Sequence, residues 1–320
     1  LPGSRYRIRG LLGRGASSMV YEAEHIDLGR RVAIKVLAPE DTDSREFTAR
    51  FRREARALSR LAHPGLVRVH DFGQTAEGRL YSVLELLEGQ SLRAMLDAGE
   101  GFTWKRALRV AHRCCMALQV AHESGVVHRD VKPANIFMGA GDRIKLIDFG
   151  LAKTAEEVLG DVVVVPPRLG EGDEERPDRM EAMTLFGTPE YMAPEQITGG
   201  RVDARADLYG LGCVLYEMLC GSLPFQAPNA VGILEAKLEG SPESVRERVP
   251  ALRLPRNVAR IVMKALSRHP SRRFRSAVAM AEAIELALDE PGRDRARRRA
   301  IGSSVAAGVM AFAVVLVGVQ

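Results

Sequence analysis

A chain of 320 residues with 46% apolar content can bury two cores, which excludes a small module. Its four cysteines, Cys114, Cys115, Cys213 and Cys220, lack C-x-x-C spacing and its seven histidines form no ligand pattern, so reduced core thiols are expected rather than disulfides or zinc. The net charge is +5, but residues 290–300 supply +3 of it and no aromatics are interleaved with the charge, which points to membrane phosphates and away from nucleic acid. Neither an internal repeat nor an amino-terminal targeting segment is expected.

In chain order, two strand-like runs, Tyr6 to Leu12 and Met19 to His25, flank Gly13-Arg14-Gly15-Ala16-Ser17-Ser18-Met19-Val20. Such a loop is a plain turn or a phosphate cover, since glycine lets backbone approach a phosphate with no Cβ in the way. Val32-Ala33-Ile34-Lys35 is an apolar strand ending in one lysine, which either snorkels to water or holds an anion. Phe47, Phe51, Leu58 and Leu61 predict a helix, and Glu54, three after Phe51 and four before Leu58, falls on its apolar stripe, where a carboxylate needs a partner. Arg50, Arg52, Arg53, Arg56 and Arg60 form its solvated face. Leu80 to Leu87 reads as a strand running into the connector Glu85-Leu86-Leu87-Glu88-Gly89, after which long helices take over.

The chemistry concentrates in His128-Arg129-Asp130-Val131-Lys132-Pro133-Ala134-Asn135, followed thirteen positions later by Asp148-Phe149-Gly150. Phosphoryl transfer spreads negative charge over oxygens, so it requires metal-holding carboxylate and amide groups, a cation, and an acceptor for the incoming hydroxyl's proton. Asp148, Asn135, Lys132 and Asp130 are groups of those kinds. Pro133 suits a tight loop, and the apolar stretches Ile136 to Met138 and Ile144 to Ile147 predict a hairpin that returns Asp148 to Asn135.

With Gly187-Thr188-Pro189-Glu190-Tyr191-Met192-Ala193-Pro194-Glu195 downstream, these segments stand in the order of the kinase signature set. The chain resembles the protein kinase superfamily, specifically the eukaryotic-like (Hanks-type) serine/threonine kinases of bacteria, many of them membrane receptors. It departs from the pattern at Ser18, where the family has its third glycine. The resemblance implies an α+β, two-lobed protein kinase fold. Residues 1–87 would form a small antiparallel-sheet lobe with one helix, and residues 88–288 a larger, mainly helical lobe. It implies ATP and two magnesium ions in the cleft. Leu12, Gly13 and Gly15 would cover the nucleotide, with Val20 and Ala33 as the roof over adenine and Phe137 as its floor. Leu84 would guard the back of the pocket, and the backbone of Glu85 and Leu87 would meet the adenine edge. Lys35, paired with Glu54, would hold the α and β phosphates; Asn135 and Asp148 would hold metal; Asp130 and Lys132 would be catalytic.

The same resemblance makes Lys132 the mark of serine and threonine substrates. It makes Thr188 the support of Asp130 and Lys132, pairs Glu195 with Arg273, and has Asp207 hold the catalytic loop's backbone. Arg129 would grip a phosphate on the activation loop, on Thr184 or, after it, Thr154. Protein substrates bearing serine or threonine are the implied partners, with a homodimer for autophosphorylation.

The activation segment, 148–195, carries a long insert, 155–183, with Val162-Val163-Val164-Val165-Pro166-Pro167 followed by Glu171-Gly172-Asp173-Glu174-Glu175-Arg176. The insert is either a flexible spacer or a docking or autoinhibitory peptide. A basic linker, 289–300, with Arg293, Arg295, Arg297, Arg298 and Arg299, precedes 301–319, nineteen residues without a charge. As a helix that run spans roughly 28 Å, about a bilayer's hydrocarbon thickness. It reads as a C-terminal transmembrane helix rather than a buried terminal one, single-pass in the cell membrane, with the arginines keeping the catalytic domain cytoplasmic. An extracytoplasmic sensor beyond it is expected. Two other readings stand beside the kinase one: a catalytically silent, membrane-tethered scaffold, and a small-molecule phosphotransferase of the same fold.

Overall fold

Val32, Ile34 and Val36, at every second position, bury one face of the first lobe's sheet. In the computed structural model, which describes residues 5–15, 18–38, 45–149 and 188–289, five strands form one antiparallel sheet in the order β1-β2-β3-β5-β4. They are β1 (Tyr6–Arg14), β2 (Ser18–His25), β3 (Arg31–Leu37), β4 (Val69–Gln74) and β5 (Leu80–Glu85). Tyr6, Ala23, Val32, Ile34, Val36 and Val83 make a small core of their own, as alternating side chains on a pleated surface must. A separate cluster of Leu37, Phe51 and Leu80 attaches α1 (Arg45–Ser59).

Three boundaries differ from the sequence pattern. The β1–β2 ladder runs on through the pairs Gly13↔Val20 and Arg14↔Met19, because main-chain pairing continues where side-chain alternation has stopped. β5 ends at Glu85 instead of Leu87, since its partner β3 has its last pair at Val32↔Glu85. Leu61 lies beyond the end of α1 and packs instead on the large core of the second lobe.

The second lobe is mainly helical. A short sheet of β6 (Gln90–Ser91), β7 (Ile136–Gly139) and β8 (Arg143–Leu146) accompanies α2 (Leu92–Asp97), α3 (Trp104–Glu123), α4 (Pro194–Ile197) and α5 (Arg205–Cys220). Then come α6 (Ala230–Glu239), α7 (Val245–Arg248), α8 (Arg256–Ala265) and α9, residues 277–289. Side-chain oxygens of Ser91, Thr103 and Asn229 accept first-turn amides and so fix where α2, α3 and α6 begin. α5 is buried without a break from Ala206 to Leu219, with α3 and α8 packed on it. A Cβ at Gly212 would stand 2.9 Å from the Ala265 methyl, so glycine sets how closely α8 approaches. All four cysteines are free thiols, and burial pushes Cys114 up to about 12, which denies it a thiolate.

The lobes are stitched behind the cleft. The Leu146 amide donates to Gly65 O at 2.8 Å and the Val67 amide to Leu146 O at 3.0 Å, while the Lys145 ammonium pairs with Glu85 and donates to Leu66 O at 3.0 Å. The connector turns at Gly89, whose φ of +133° and approach to Met138 O leave no room for a side chain. Thr154, Thr184, the insert 155–183 and the apolar run 301–319 lie outside the described residues. Among the described residues no helix is long and apolar enough to cross a membrane.

His63 sits at this junction with Nδ1 accepting the Gly65 amide at 3.0 Å, which requires a neutral ring. Burial, reinforced by Lys145, lowers its pKa below 6.5. The unfolded chain therefore takes up the proton first, so the stability contributed is present above about pH 6.5 and lost as pH falls through the folded pKa. Urea midpoints should drop as pH falls from about 7.5 to 5.5, and His63→Asn, which still offers an acceptor but does not titrate, should flatten the slope in part, His70 being depressed by burial as well. An unchanged slope in the variant would count against this account.

Candidate active site

The catalytic loop is held in a conformation that its residues do not prefer. Arg129 has φ +63° and Asp148 φ +56°, both in the left-handed region that costs a side-chain-bearing residue of order 1 kcal/mol or more. The fully buried carboxylate of Asp207 offsets the first: it accepts the His128 amide at 2.8 Å, the Arg129 amide at 2.7 Å, and His122 Nε2 at 2.7 Å. From the other side Gln196 Nε2 donates to Arg129 O at 2.9 Å. His128 Nε2 lies 3.0 Å from Ile147 O, a pure acceptor, so this nitrogen carries the proton and Nδ1 is free to accept the Asp130 amide at 3.3 Å. The ring also packs on buried Phe149, centroids 4.4 Å apart, which anchors the residue next to Asp148.

With the loop fixed, its functional groups gather. Asn135 Nδ2 donates to Asp130 O at 2.8 Å and to Asp130 Oδ2 at 3.2 Å. Its amide oxygen is thereby the atom left to meet a cation. Lys132 Nζ lies 3.0 Å from Asp130 Oδ2 and donates to Thr188 Oγ1 at 2.9 Å. The predicted hairpin returns the chain beside Asn135, whose carbonyl accepts the Ile147 amide at 3.0 Å. Across the cleft, Lys35 Nζ donates to Asp148 Oδ1 at 2.7 Å. The anion found at Lys35 is thus Asp148; the side chain of Glu54, the expected partner, lies outside the described ones.

The remaining pocket positions surround this pair. Val20 stands opposite Lys35 in the β2–β3 register and Ala33 opposite Leu84 in the β3–β5 register. Ala33 is buried, Phe137 on β7 half-buried, and Leu12 exposed at the lip. Among the described residues nothing lies within 4 Å of where a Cβ at Gly13 would stand, and at Gly15 the Ser18 hydroxyl lies 3.5 Å away. The Glu85 amide donates to Arg68 O at 3.0 Å, and its carboxylate accepts the Arg68 amide at 2.8 Å and pairs with Lys145.

Residues 188–196 wall the other side of Asp130, where Asp130, Thr188, Tyr191 and Met192 share a small cavity. Several anchors fix this segment. Tyr191 OH donates to Glu217 Oε2 at 2.5 Å, and Arg93 Nη1 to Glu217 Oε1 at 2.8 Å. Gln196 Oε1 accepts the Ala193 amide at 3.0 Å. Lys237 Nζ donates to Glu190 O at 2.7 Å and Met192 O at 2.8 Å. Arg273 meets Glu195 through two parallel bonds of 2.7 Å, the fork geometry that makes such pairs strong. Gln196, Glu217, Lys237, Arg93 and His122 were not singled out by sequence. For Lys237 and Glu217 a signal existed: each is a charge on an otherwise apolar helix face, the pattern that singled out Glu54.

A sheet lobe carrying a lysine, a helical lobe carrying the carboxylate opposite it, and a loop carboxylate beside a second lysine define the architecture of a nucleotide-dependent phosphotransferase. A family model described as protein kinase domain matches residues 6–284. The serine/threonine-protein kinase pkn3 of Myxococcus xanthus is 35% identical over 306 residues, 94% of this chain and 53% of that protein. PknB of Mycobacterium tuberculosis is 36% identical over 293 residues, 90% of this chain and 44% of that protein. The crystal structure of the Mycobacterium tuberculosis PknI kinase domain superposes with a TM-score of 0.66 at 28% identity, covering 89% of this chain and 96% of that one. The chain belongs to the protein kinase family, and the relatives it matches are bacterial Hanks-type serine/threonine kinases. It spans about half the length of those curated relatives.

The Glu195–Arg273 pair is buried, with Arg273 also donating to Ser267 O, Arg205 O and Arg268 O. Arg273→Met should leave the carboxylate uncompensated and cost about 3–5 kcal/mol of stability, read from urea unfolding. A loss under about 1 kcal/mol would show that the pair does not hold the segment.

Proposed function

We propose that this protein is an ATP-dependent serine/threonine protein kinase, anchored to the membrane by its C-terminal run with the catalytic domain on the cytoplasmic side. The observation that carries the reading is the connected group Asp130–Lys132–Thr188, with Asn135 bonded to Asp130 and Lys35 of the sheet lobe paired with Asp148. The Asp130 carboxylate orients a serine or threonine hydroxyl and takes its proton; Lys132, held between Asp130 and Thr188, offsets charge on the transferring phosphoryl group. Lys35 supplies the cation for the nucleotide's phosphates. Asn135 and Asp148 offer one amide and one carboxylate oxygen, hard donors suited to magnesium, which when bound would neutralise phosphate charge.

Lys35, Asp130, Asn135 and Asp148 are all present, so a catalytically silent scaffold has no missing group to account for it. Lys132 favours serine and threonine acceptors by family resemblance, and residues 188–196 give a protein acceptor a wall to lie on. Membrane anchoring rests on sequence: five arginines immediately before nineteen uncharged residues.

Regulation by activation-loop autophosphorylation, through a transient homodimer, has one supporting observation. Arg129 Nε is buried without a hydrogen-bond partner among the described residues, a donor waiting for an acceptor, and a phosphate on Thr184 would supply one.

Transfer of labelled γ-phosphate with magnesium, to the protein itself and to histone, tests the activity. Asp130→Asn should lower the rate about 10² to 10⁴-fold while ATP binding persists; equal rates would remove Asp130 from the mechanism. For regulation, mass spectrometry of the active protein should find phosphate on Thr184, and Thr184→Ala should lower histone phosphorylation. An unmodified Thr184 together with unchanged activity in the variant would refute it.

A further inference from the structure

Lys237 is an unusual residue for its place. It lies on α6, three and four positions after Leu234 and Ile233, on the face those residues bury, and it is only 1% exposed. Removing an ammonium from water is costly, and an apolar side chain would fill a helix face at less cost. Burial lowers its proton affinity, and the carboxylate of Glu190 acts in the opposite sense. What the ammonium gains is two carbonyls, Glu190 O at 2.7 Å and Met192 O at 2.8 Å, the residues on either side of Tyr191. The ring of Tyr209 on α5 supports it at 5.1 Å, and that of Phe225 at 5.9 Å. The same Tyr209 ring lies 4.8 Å from the guanidinium of Arg273, which holds Glu195 five residues further on. Two buried cations sharing one aromatic ring thus hold both ends of the stretch from Glu190 to Glu195.

That stretch shares its cavity with Asp130 through Tyr191 and Met192, and Thr188 is tied to Lys132. Among the described residues it makes no hydrogen bond to Lys35 or Asp148. We propose that Lys237 is a positioning residue for the protein acceptor: by holding the carbonyls of Glu190 and Met192 it sets the wall along which the acceptor hydroxyl reaches Asp130, and it leaves nucleotide binding untouched. The proposal rests on the protein-acceptor reading and deepens it.

The test separates the two. Using the full chain, steady-state kinetics with histone as acceptor are compared with ATP hydrolysis to water in the absence of acceptor. If the unsubstituted protein hydrolyses ATP yet phosphorylates no protein, the protein-acceptor reading itself fails. If it phosphorylates histone, Lys237→Met should lower kcat/KM for histone about tenfold or more, chiefly through KM, with ATP hydrolysis and the KM for ATP within about twofold. Lys237→Gln, which keeps N–H donors at shorter reach, should show the same split to a smaller degree, and it carries the test should Lys237→Met fail to fold. Histone kinetics unchanged by the substitution would overturn the proposal. So would a parallel fall in histone phosphorylation and ATP hydrolysis, which marks a general packing role.

Discussion

The carboxylate of Asp207 is the point on which the site depends. Buried at the start of α5, it accepts two consecutive backbone amides and one imidazole, and an ionised acceptor with three donors is among the stronger arrangements available inside a protein. Those amides belong to His128 and Arg129, the residues immediately before Asp130. The left-handed turn at Arg129 persists because this carboxylate and Gln196 over-determine it. α5 in turn is buried from Ala206 to Leu219 within the larger core, so a helix packed on every face fixes the loop that carries Asp130. The same helix supplies Glu217 to Tyr191 and the Tyr209 ring to Lys237 and Arg273. Loop and acceptor wall are therefore referenced to one scaffold.

Much of this was legible in the sequence for local reasons. Four strands of the first lobe coincide with the runs Tyr6 to Leu12, Met19 to His25, Val32 to Lys35 and Leu80 to Leu87, while β4 was not read from the sequence, and the hairpin after Asn135 follows from two short apolar runs broken by Gly139 to Arg143. The groups around Asp130 were legible because phosphoryl transfer needs a small, recognisable set of residue types, and because their spacing fits one tight loop. Thr188 and Lys132, 56 residues apart, meet as the family pattern implied, as do Glu195 and Arg273, 78 apart.

What was not legible depends on contacts between distant segments. Gln196 reaches the carbonyl of Arg129 across 67 positions, and no periodicity encodes an amide's choice of backbone acceptor. β5 stops where its neighbour stops, a property of the pair and not of the run Leu80 to Leu87. Lys35 offers a different case: sequence required an anion for it and named Glu54, whose side chain lies outside the described ones, but did not name Asp148, 113 residues away, whose carboxylate accepts from it. Charge balance calls for a partner, and only the folded topology brings Asp148 within reach.

The Lys35–Asp148 contact has an electrostatic consequence for the cleft. One partner stands on a strand of the sheet lobe and the other just past β8 in the helical lobe, so the pair acts as a clasp across the opening, with each side chain partly open to water. Nucleotide phosphates and a divalent cation would separate it, the phosphates meeting Lys35 and the cation meeting Asp148. One ion pair would then give way to two. Lys35 and Asp148 would each face a charge of opposite sign before and after the exchange, so neither state leaves one of them uncompensated.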